Sequence, residues 1–435
     1  MKPKVVSFLF LLSLCLVACQ KETALPSLEE KPYTFMVASD LHFLDPSLRD
    51  TSSPYYRKAI DNADGKITDY AKEILDAFFE EVRKQKPDAL ILTGDLSWNG
   101  AEKSHHTLAG YFAKLEEEGI EVDVLPGNHD LGAYPSVCFT LDGVQRVDSL
   151  SPRSFRELDY RFGPEGAIAF APDSFSYLLH PRKELYLLFL DSSSPGGDYV
   201  SKETVSWLEN TVASLPLTAT LLTFSHQNLL VHNPLFTTGM VIPNREAIQS
   251  IYASFPGKIT NFAGHLHIQH IVQEEKLDEI DTGAMSVYPC RYGSVQVCST
   301  GLSYEAKSVP VEESEKGSND PNLSSFDAYG RSYFDAYSLR AFERFYQGQD
   351  EEEKQKAKEA FLAVQYAYFS GESLDLSPYQ TTIDAWQKEN SSNLAYWQSL
   401  VEDIASHPEG HLLYTRSWNE DSHPSSFGVS KLKRV

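Results

Sequence analysis

The stretch Leu92-Thr93-Gly94-Asp95 decides the fold that this sequence predicts. An apolar run from residue 88 to residue 92 predicts a short β-strand, and the chain turns at Gly94-Asp95, where that strand ends. Binding sites of α/β proteins lie at the carboxyl ends of their strands, so we expect the Asp95 carboxylate at such an edge. Because Gly-Asp is also a common turn, the neighbouring motifs have to decide between a turn and a site.

Four other apolar runs end in the same way, with aspartate, asparagine or histidine. Oxygen and imidazole donors without a thiolate suit divalent Mn, Fe or Zn. Seven donors and a spare histidine are too many for one ion and fit two ions that share one carboxylate, for which Asp95 is the candidate. The runs and the polar residues after them are 35–39 with Asp40 and His42, 122–125 with Asn128, His129 and Asp130, 218–224 with His226, and 259–263 with His265 and His267.

The order of these blocks, Asp-x-His, Gly-Asp, Gly-Asn-His-Asp, His and Gly-His-x-His, resembles the calcineurin-like metallophosphoesterase superfamily over about residues 33 to 300. The resemblance implies an α/β fold, with a double β-sheet sandwich flanked by helices. It implies that His129 is the catalytic histidine facing the phosphate. It also implies one metal on Asp40, His42 and His267, a second on Asn128, His226 and His265, and Asp95 as the bridge.

The chemistry that such a site implies is hydrolysis of a phosphate ester by a metal-bridging hydroxide. Two cations about 3.5 to 4 Å apart lower the pKa of a shared water and neutralise charge on the phosphoryl oxygens. A protonated His129 could donate to the leaving oxygen as a general acid. Calcineurin-type phosphatases orient this histidine with an aspartate where this chain has Trp98, so Asp130 or a backbone carbonyl is expected to orient it here, unless His129 is less basic than usual.

The first residues predict export. Lys2 and Lys4 precede an apolar run from Val5 to Val17, which is too short for a permanent transmembrane helix and is typical of a signal peptide over residues 1–18. The ending Leu16-Val17-Ala18-Cys19 resembles a bacterial lipobox, which implies that Cys19 is lipidated and that residues 19–31 form a tether. An ordinary signal peptide with an incidental cysteine is the alternative. The expected location is extracytoplasmic and lipid-anchored at the cell membrane.

Charge and cysteine use agree with an exported enzyme. The net charge of −23 becomes about −25 without the two signal lysines, which argues against stable nucleic-acid binding and against contact with anionic lipid heads. Membrane contact is expected through the N-terminal lipid anchor. Beyond the signal, Cys138, Cys290 and Cys298 remain, and free thiols are favoured over a pairing of the last two.

Length predicts two domains. A metallophosphoesterase domain is expected over residues 32–309, a polar linker over 310–325 and an aromatic-rich helical domain over 326–435. A bundle packed on the catalytic domain is the simple interpretation of that domain, and a cap that stacks on a base or covers a lipid head group is the alternative. Three further features are interpreted as structural: surface histidines at 105 and 106, a capping role for Asp191, and an ordinary sheet position for His270.

Together these features predict a phosphodiesterase acting on cyclic or other nucleotides, because the blocks and the helical C-terminal addition look most like the class III cyclic-nucleotide phosphodiesterase branch. The substrate is expected to be a small phosphate ester. Three alternatives stay open: a phosphomonoesterase or nucleotidase, a phospholipid or sphingomyelin head-group phosphodiesterase, and a non-catalytic lipoprotein that binds metals or a ligand.

Overall fold

Strands and helices alternate through the first part of the chain, and helices dominate its end. The computed structural model describes residues 25–193, 199–346, 350–387 and 392–418. The strands are β1 Tyr33–Ala38, β2 Ala89–Leu92, β3 Glu121–Val124, β4 Val137–Thr140, β5 Gly143–Arg146, β6 Ala169–Phe170, β7 Tyr177–Leu179, β8 Leu185–Leu190, β9 Thr220–Ser225, β10 Ile259–Ala263, β11 His270–Gln273, β12 Leu277–Asp281, β13 Arg291–Cys298, β14 Gly301–Ser308 and β15 Leu413–Ser417. The α-helices are α1 Pro54–Ile60, α2 Ala71–Gln85, α3 Glu102–Glu117, α4 Pro152–Asp159, α5 Lys202–Ser214, α6 Arg245–Ser254, α7 Val311–Ser314, α8 Phe326–Phe345, α9 Glu351–Ser370, α10 Gln380–Gln387 and α11 Ser392–Ser406.

The first sheet brings the ends of three parallel strands side by side. Its strand order is β15-β14-β13-β1-β2-β3. Strand β1 pairs parallel with β2, Val37 lying opposite Ile91, and β2 pairs parallel with β3. Because neighbouring parallel strands end at one edge, the segments after them meet there. These segments carry Asp40 and His42, then Asp95, then Asn128 and His129.

The second sheet supplies the remaining predicted ligands. Its order is β11-β12-β10-β9-β8-β7-β6, and β8, β9, β10 and β12 run parallel. His226 follows β9, and His265 and His267 follow β10. The ligand segments of this sheet therefore leave two adjacent strands at the same edge.

An apolar core joins the two sheets. The Phe35 ring of the first sheet lies 5.7 Å from that of Phe224 and 5.4 Å from that of Phe262, centroid to centroid, and both partners belong to the second sheet. All three are buried, and helix α2 covers the same core with residues such as Phe78 and Phe79. The predicted α/β double-sheet sandwich flanked by helices is confirmed.

The C-terminal part is helical from α8 to α11, as predicted, and has a core of its own. This core includes Phe342, Phe361 and Leu400, and Ile268 of the loop before β11 packs into it. One element departs from the prediction of helices over 326–435: strand β15 returns to the first sheet and pairs with β14. The hydrophobic pattern does not predict this strand, because Leu413 is exposed and Arg416 is buried, whereas apolar residues are usually buried and charged ones exposed. The domain limits themselves stay a prediction.

The described residues do not reach the predicted membrane anchor. Residues 1–18 and Cys19 lie outside them. Within the described ranges, none of the helices combines the length and apolarity that a bilayer crossing requires. Cys138, Cys290 and Cys298 are free thiols, which confirms the prediction that they do not pair.

Candidate metal centre

The loops that carry the predicted ligands are held in an unusual backbone conformation. Residues other than glycine rarely adopt positive φ, and such strain concentrates at functional sites. At Gly127 an added Cβ would lie 2.2 Å from Asp95 Oδ1, so a side chain there would displace that carboxylate. The ligand positions with positive φ are Asp40 at 54°, His42 at 42°, Asp95 at 49°, His265 at 74° and His267 at 59°.

Asp40, His42 and His267 form the first donor set. The Nε2 atoms of His42 and His267 are 3.2 Å apart. Asp40 Oδ1 lies 3.3 Å from His267 Nε2 and 3.8 Å from His42 Nε2. The structure thus brings together the three residues that the sequence assigns to one metal.

Asn128, His226 and His265 form the second donor set. His226 Nε2 lies 3.0 Å from Asn128 Oδ1 and 3.3 Å from His265 Nδ1. All three side chains follow strand ends, Asn128 after β3 and the two histidines after β9 and β10. Their proximity matches the predicted second metal.

Asp95 lies between the two sets with one carboxylate oxygen toward each. Its Oδ1 is 3.4 Å from His226 Nε2, and its Oδ2 is 3.6 Å from His42 Nε2. The side chain is almost fully buried. This placement is the geometry that a carboxylate bridging two cations requires.

The donor chemistry fits divalent cations. Asp40 Oδ1 is buried and has no hydrogen-bond partner among the described residues. The ring nitrogens of His42 and His267 face each other at 3.2 Å, as do those of His226 and His265 at 3.3 Å. A buried acceptor without a partner is costly, and each facing pair of ring nitrogens needs a proton or a cation between the two lone pairs, so a cation would stabilise this arrangement.

The charges of the site also favour a bound cation. Burial would raise the pKa of the Asp95 carboxyl, but His226, His42 and His129 lower it well below its usual range, so Asp95 is ionised. Burial would lower the pKa of His226, but Asp95 and Asp40 raise it to about 9, so without a cation this ring is protonated, and a bound cation would take the place of the proton on Nε2. For His42, burial and then Lys66 hold the pKa well below the usual value, so its ring is neutral, the form that binds metals.

Backbone carbonyls orient two of the ligand histidines. His226 Nδ1 lies 3.0 Å from Thr93 O, and His265 Nε2 lies 2.8 Å from Gly239 O. Because a carbonyl can only accept a hydrogen bond, His226 Nδ1 and His265 Nε2 carry the ring protons. The other nitrogens, His226 Nε2 and His265 Nδ1, are therefore the ones that would coordinate a metal ion. Such outer contacts hold metal ligands in place.

His129 lies beside the metal centre and is oriented by Asn99, a residue that the sequence analysis did not assign to the site. His129 Nδ1 is 2.6 Å from Asn99 Oδ1, and Nε2 is 4.0 Å from Asp95 Oδ2. The amide oxygen accepts from Nδ1–H, so Nε2 presents its lone pair toward the centre. Burial lowers the pKa of His129 to about 4 against the attraction of Asp95. The ring is therefore neutral at pH 7.

We expect Asn99→Asp to change the pH profile of hydrolysis. A carboxylate next to Nδ1 stabilises the protonated ring, so the pKa of His129 should rise by about one unit or more. The limb of kcat against pH that reports His129 should move to higher pH by the same amount. Asn99→Ala is the control: it removes the orienting contact without adding charge, and kcat should fall without that upward shift. An unchanged profile in Asn99→Asp would contradict the contact.

Of the three alternatives for His129, neither Asp130 nor a backbone carbonyl orients it, since Asn99 does, and a less basic histidine agrees with its lowered pKa. The Asp130 carboxylate is fully buried and accepts from the backbone N–H groups of Leu96, Ser97 and Gly127 at 2.9–3.0 Å. It also accepts from Ser97 Oγ at 2.8 Å. Asp130 therefore holds the turn after β2 against the turn after β3, and so positions Asp95 and Asn128 indirectly.

Two other residues near the centre differ from the sequence interpretation. His105 was expected at the surface, but it is buried and lies 2.8 Å from Ser97 Oγ, whereas His106 is exposed. Lys66, which the sequence analysis did not single out, is also buried, and its positive charge lowers the pKa of both His42 and His129. Lys66 thus favours the neutral form of both histidines.

Comparison with known families agrees with the geometry. A family model described as calcineurin-like phosphoesterase matches residues 33–269, more than half of the 435-residue chain. The chain belongs to the calcineurin-like phosphoesterase family. The match includes every predicted ligand from Asp40 to His267, together with His129. The family resemblance inferred from the motifs is confirmed.

Two curated relatives and one solved structure illustrate the similarity. A 3',5'-cyclic-nucleotide phosphodiesterase of Nostoc sp. is 26% identical over 191 residues, 43% of this chain and 58% of the relative. A probable glycerophosphodiester phosphodiesterase of Arcobacter nitrofigilis is 24% identical over 186 residues, 42% of this chain and 58% of the relative. A dimetal phosphatase structure from Danio rerio is 14% identical, with a TM-score of 0.48, over 63% of this chain and 96% of that one. The chain thus matches 58% of the length of each curated relative.

Proposed function

We propose that this protein is a dinuclear-metal phosphodiesterase whose substrates are cyclic or other nucleotides. The observation that carries the proposal is the pair of donor sets on either side of the buried Asp95, with the His129 ring beside them. Of the two curated relatives reported above, one is named a 3',5'-cyclic-nucleotide phosphodiesterase and the other a probable glycerophosphodiester phosphodiesterase, which favours diesters. Mn, Fe and Zn all suit the donors.

Each part of the site has a role in this proposal. Two bound divalent ions would activate water and neutralise charge on the phosphoryl group. Asp95 lies between the two donor sets, and His129 Nε2 lies 4.0 Å from its Oδ2 atom. An anionic phosphoryl group favours the protonated imidazole, so substrate binding would raise the pKa of His129 and let Nε2–H donate to the leaving oxygen.

The first test compares diester and monoester hydrolysis. The form lacking residues 1–19, reconstituted with Mn²⁺, should hydrolyse bis-p-nitrophenyl phosphate with a kcat/KM at least about tenfold above that for p-nitrophenyl phosphate, a difference of about 1.4 kcal/mol. Preference for the monoester would replace the proposal by a nucleotidase. A metal-bound protein inactive on both would favour a binding lipoprotein. A diester preference would be followed by cyclic nucleotides and phospholipid head groups as substrates.

We also propose that the protein is an extracytoplasmic lipoprotein anchored through Cys19. The support is the sequence Leu16-Val17-Ala18-Cys19 after an apolar run. In the native host, Cys19→Ala should move the protein out of the membrane fraction, because the acyl chains would be lost. Cys138→Ala is the control and should leave the protein membrane-bound. Membrane retention of the Cys19 variant would refute the anchor.

A further inference from the structure

A second histidine cluster lies away from the metal centre, where the second sheet meets the C-terminal helices. His270 begins strand β11, Asp403 belongs to α11, and His411 lies between α11 and β15. His270 and His411 are buried, and the Asp403 side chain is 15% exposed. His270 is a sheet residue, as predicted, but segments from the C-terminal helices converge on its side chain.

The three side chains are close enough to share one ion. One ligand atom from each lies within 4.8 Å of the other two. His270 Nε2 is 3.0 Å from Asp403 Oδ1, and His411 Nε2 is 3.5 Å from Asp403 Oδ2. The centroids of the two imidazole rings are 4.0 Å apart.

A chain of contacts behind His270 is one proton short. Glu279 Oε1 is 3.1 Å from His232 Nε2, His232 Nδ1 is 3.0 Å from His270 Nδ1, and His270 Nε2 faces Asp403. Three contacts between two carboxylates and two imidazoles need three protons, whereas two neutral imidazoles supply two. One further positive group, a proton or a metal ion, is therefore required along this chain.

The geometry places that positive group at the Asp403 end. Glu279 also accepts from the backbone N–H groups of Leu229 and Leu230, which holds it as the acceptor of His232 Nε2–H. His270 then donates Nδ1–H to His232, and a proton or a metal ion on its Nε2 faces the Asp403 carboxylate. A histidine whose second nitrogen is bonded in this way resembles a metal ligand with its outer support.

His411 gives a second, independent indication that this cluster binds a positive group. Its Nε2 atom is buried and has no hydrogen-bond partner among the described residues. Its Nδ1 atom accepts from the Ile271 N–H over a long 3.3 Å. Metal binding through Nε2 would place the ring proton on Nδ1, so the Ile271 N–H would give up this long contact.

We propose that His270, Asp403 and His411 bind a further transition-metal ion, of which Zn²⁺ best fits two imidazoles and one carboxylate. These are zinc donors, and an ion held by three protein ligands completes its coordination with water. This inference is independent of the phosphodiesterase proposal. Its role is structural, because the ion joins α11 and the segment before β15 to the edge of the second sheet.

The position of this site links the C-terminal region to the metal centre. Gln269 lies between His267 of the metal centre and His270 of the new site. Its Nε2 donates to His411 O at 2.9 Å, and its backbone N–H donates to Phe369 O at 3.0 Å. A metal at His411 would thus hold the same segment that carries His265 and His267.

The experiment counts zinc with the metal centre disabled. The full chain carrying Asp95→Ala, equilibrated with Zn²⁺ and passed through gel filtration, should retain about one ion per chain by mass spectrometry of the metal. Adding His411→Gln or Asp403→Asn should remove it. Adding His106→Gln, the same change at an exposed histidine, should leave it. Zn²⁺ should also raise the melting temperature of the Asp95→Ala protein by a few degrees, and not that of the His411→Gln double variant.

Two results would overturn this site. The first is an Asp95→Ala chain that binds no zinc. The second is zinc that remains after both His411→Gln and Asp403→Asn. Circular dichroism without zinc verifies that each variant is folded, and if one variant unfolds, the other decides. Because no turnover is measured, failure of the phosphodiesterase proposal would leave the metal count unaffected.

Discussion

Asp95→Ala is expected to reduce hydrolysis at least ~10³-fold in kcat/KM, equivalent to about 4 kcal/mol of lost transition-state stabilisation. The reason is that Asp95 offers one oxygen to each donor set, 3.4 Å from His226 Nε2 and 3.6 Å from His42 Nε2. Without the carboxylate, both sets lose their shared anionic ligand. Metal analysis should show that both ions of the centre leave with the activity.

Asp191→Asn is a matched control for this experiment. Asp191 is likewise a buried aspartate after a parallel strand, but its oxygens accept from the backbone N–H groups of Phe175 and Ser193 at 2.8 and 2.9 Å, which agrees with the predicted capping role. The asparagine keeps an acceptor for at least one of these contacts, and both metals and turnover should persist. If Asp95→Ala kept both ions of the centre, Asp95 would not be the bridge.

The sequence predicted which side chains meet at the candidate metal centre because these residues obey one simple rule. Each follows an apolar strand, and parallel strands end at a common edge, so order along the chain translates into proximity. Asp40, Asp95 and His226 illustrate this rule, since they come from three strands in two sheets and all reach the centre. These predictions required only the correct positions of the strands and of their ends, and no knowledge of side-chain contacts.

The residues that sequence analysis missed depend on side-chain contacts without a periodic signal. Asn99 looks like an ordinary turn residue, yet its amide oxygen lies 2.6 Å from His129 Nδ1. Asp130 follows His129 directly, but its carboxylate turns inward and caps two loops. His270 and Asp403 are 133 positions apart, and only the packing of α11 on the sheet brings them together.

His129→Ala is expected to lower kcat by about 10²- to 10⁴-fold, the range for a lost general acid or base. The metal content of the centre should not change. The backbone N–H of His129 donates to Asp95 Oδ1 at 2.7 Å, and alanine keeps that hydrogen bond. His106→Ala, at an exposed histidine, should behave like the unmodified protein. If the His129 variant lost its metals, the residue would be a ligand and not a proton donor.

A comparison of leaving groups tests whether His129 acts as a general acid. A nitrophenolate departs without a proton, whereas an alkoxide needs one, so an acid catalyst matters most for alkyl esters. His129→Ala should therefore slow hydrolysis of an alkyl diester at least about tenfold more than that of bis-p-nitrophenyl phosphate. Equal losses on both would assign His129 to stabilising the phosphoryl oxygens, where its contribution does not depend on the leaving group. The two roles have to be distinguished by experiment because the His129 ring, which Asn99 orients, is neutral at pH 7. An acid role therefore requires that the bound substrate first raise the pKa of His129.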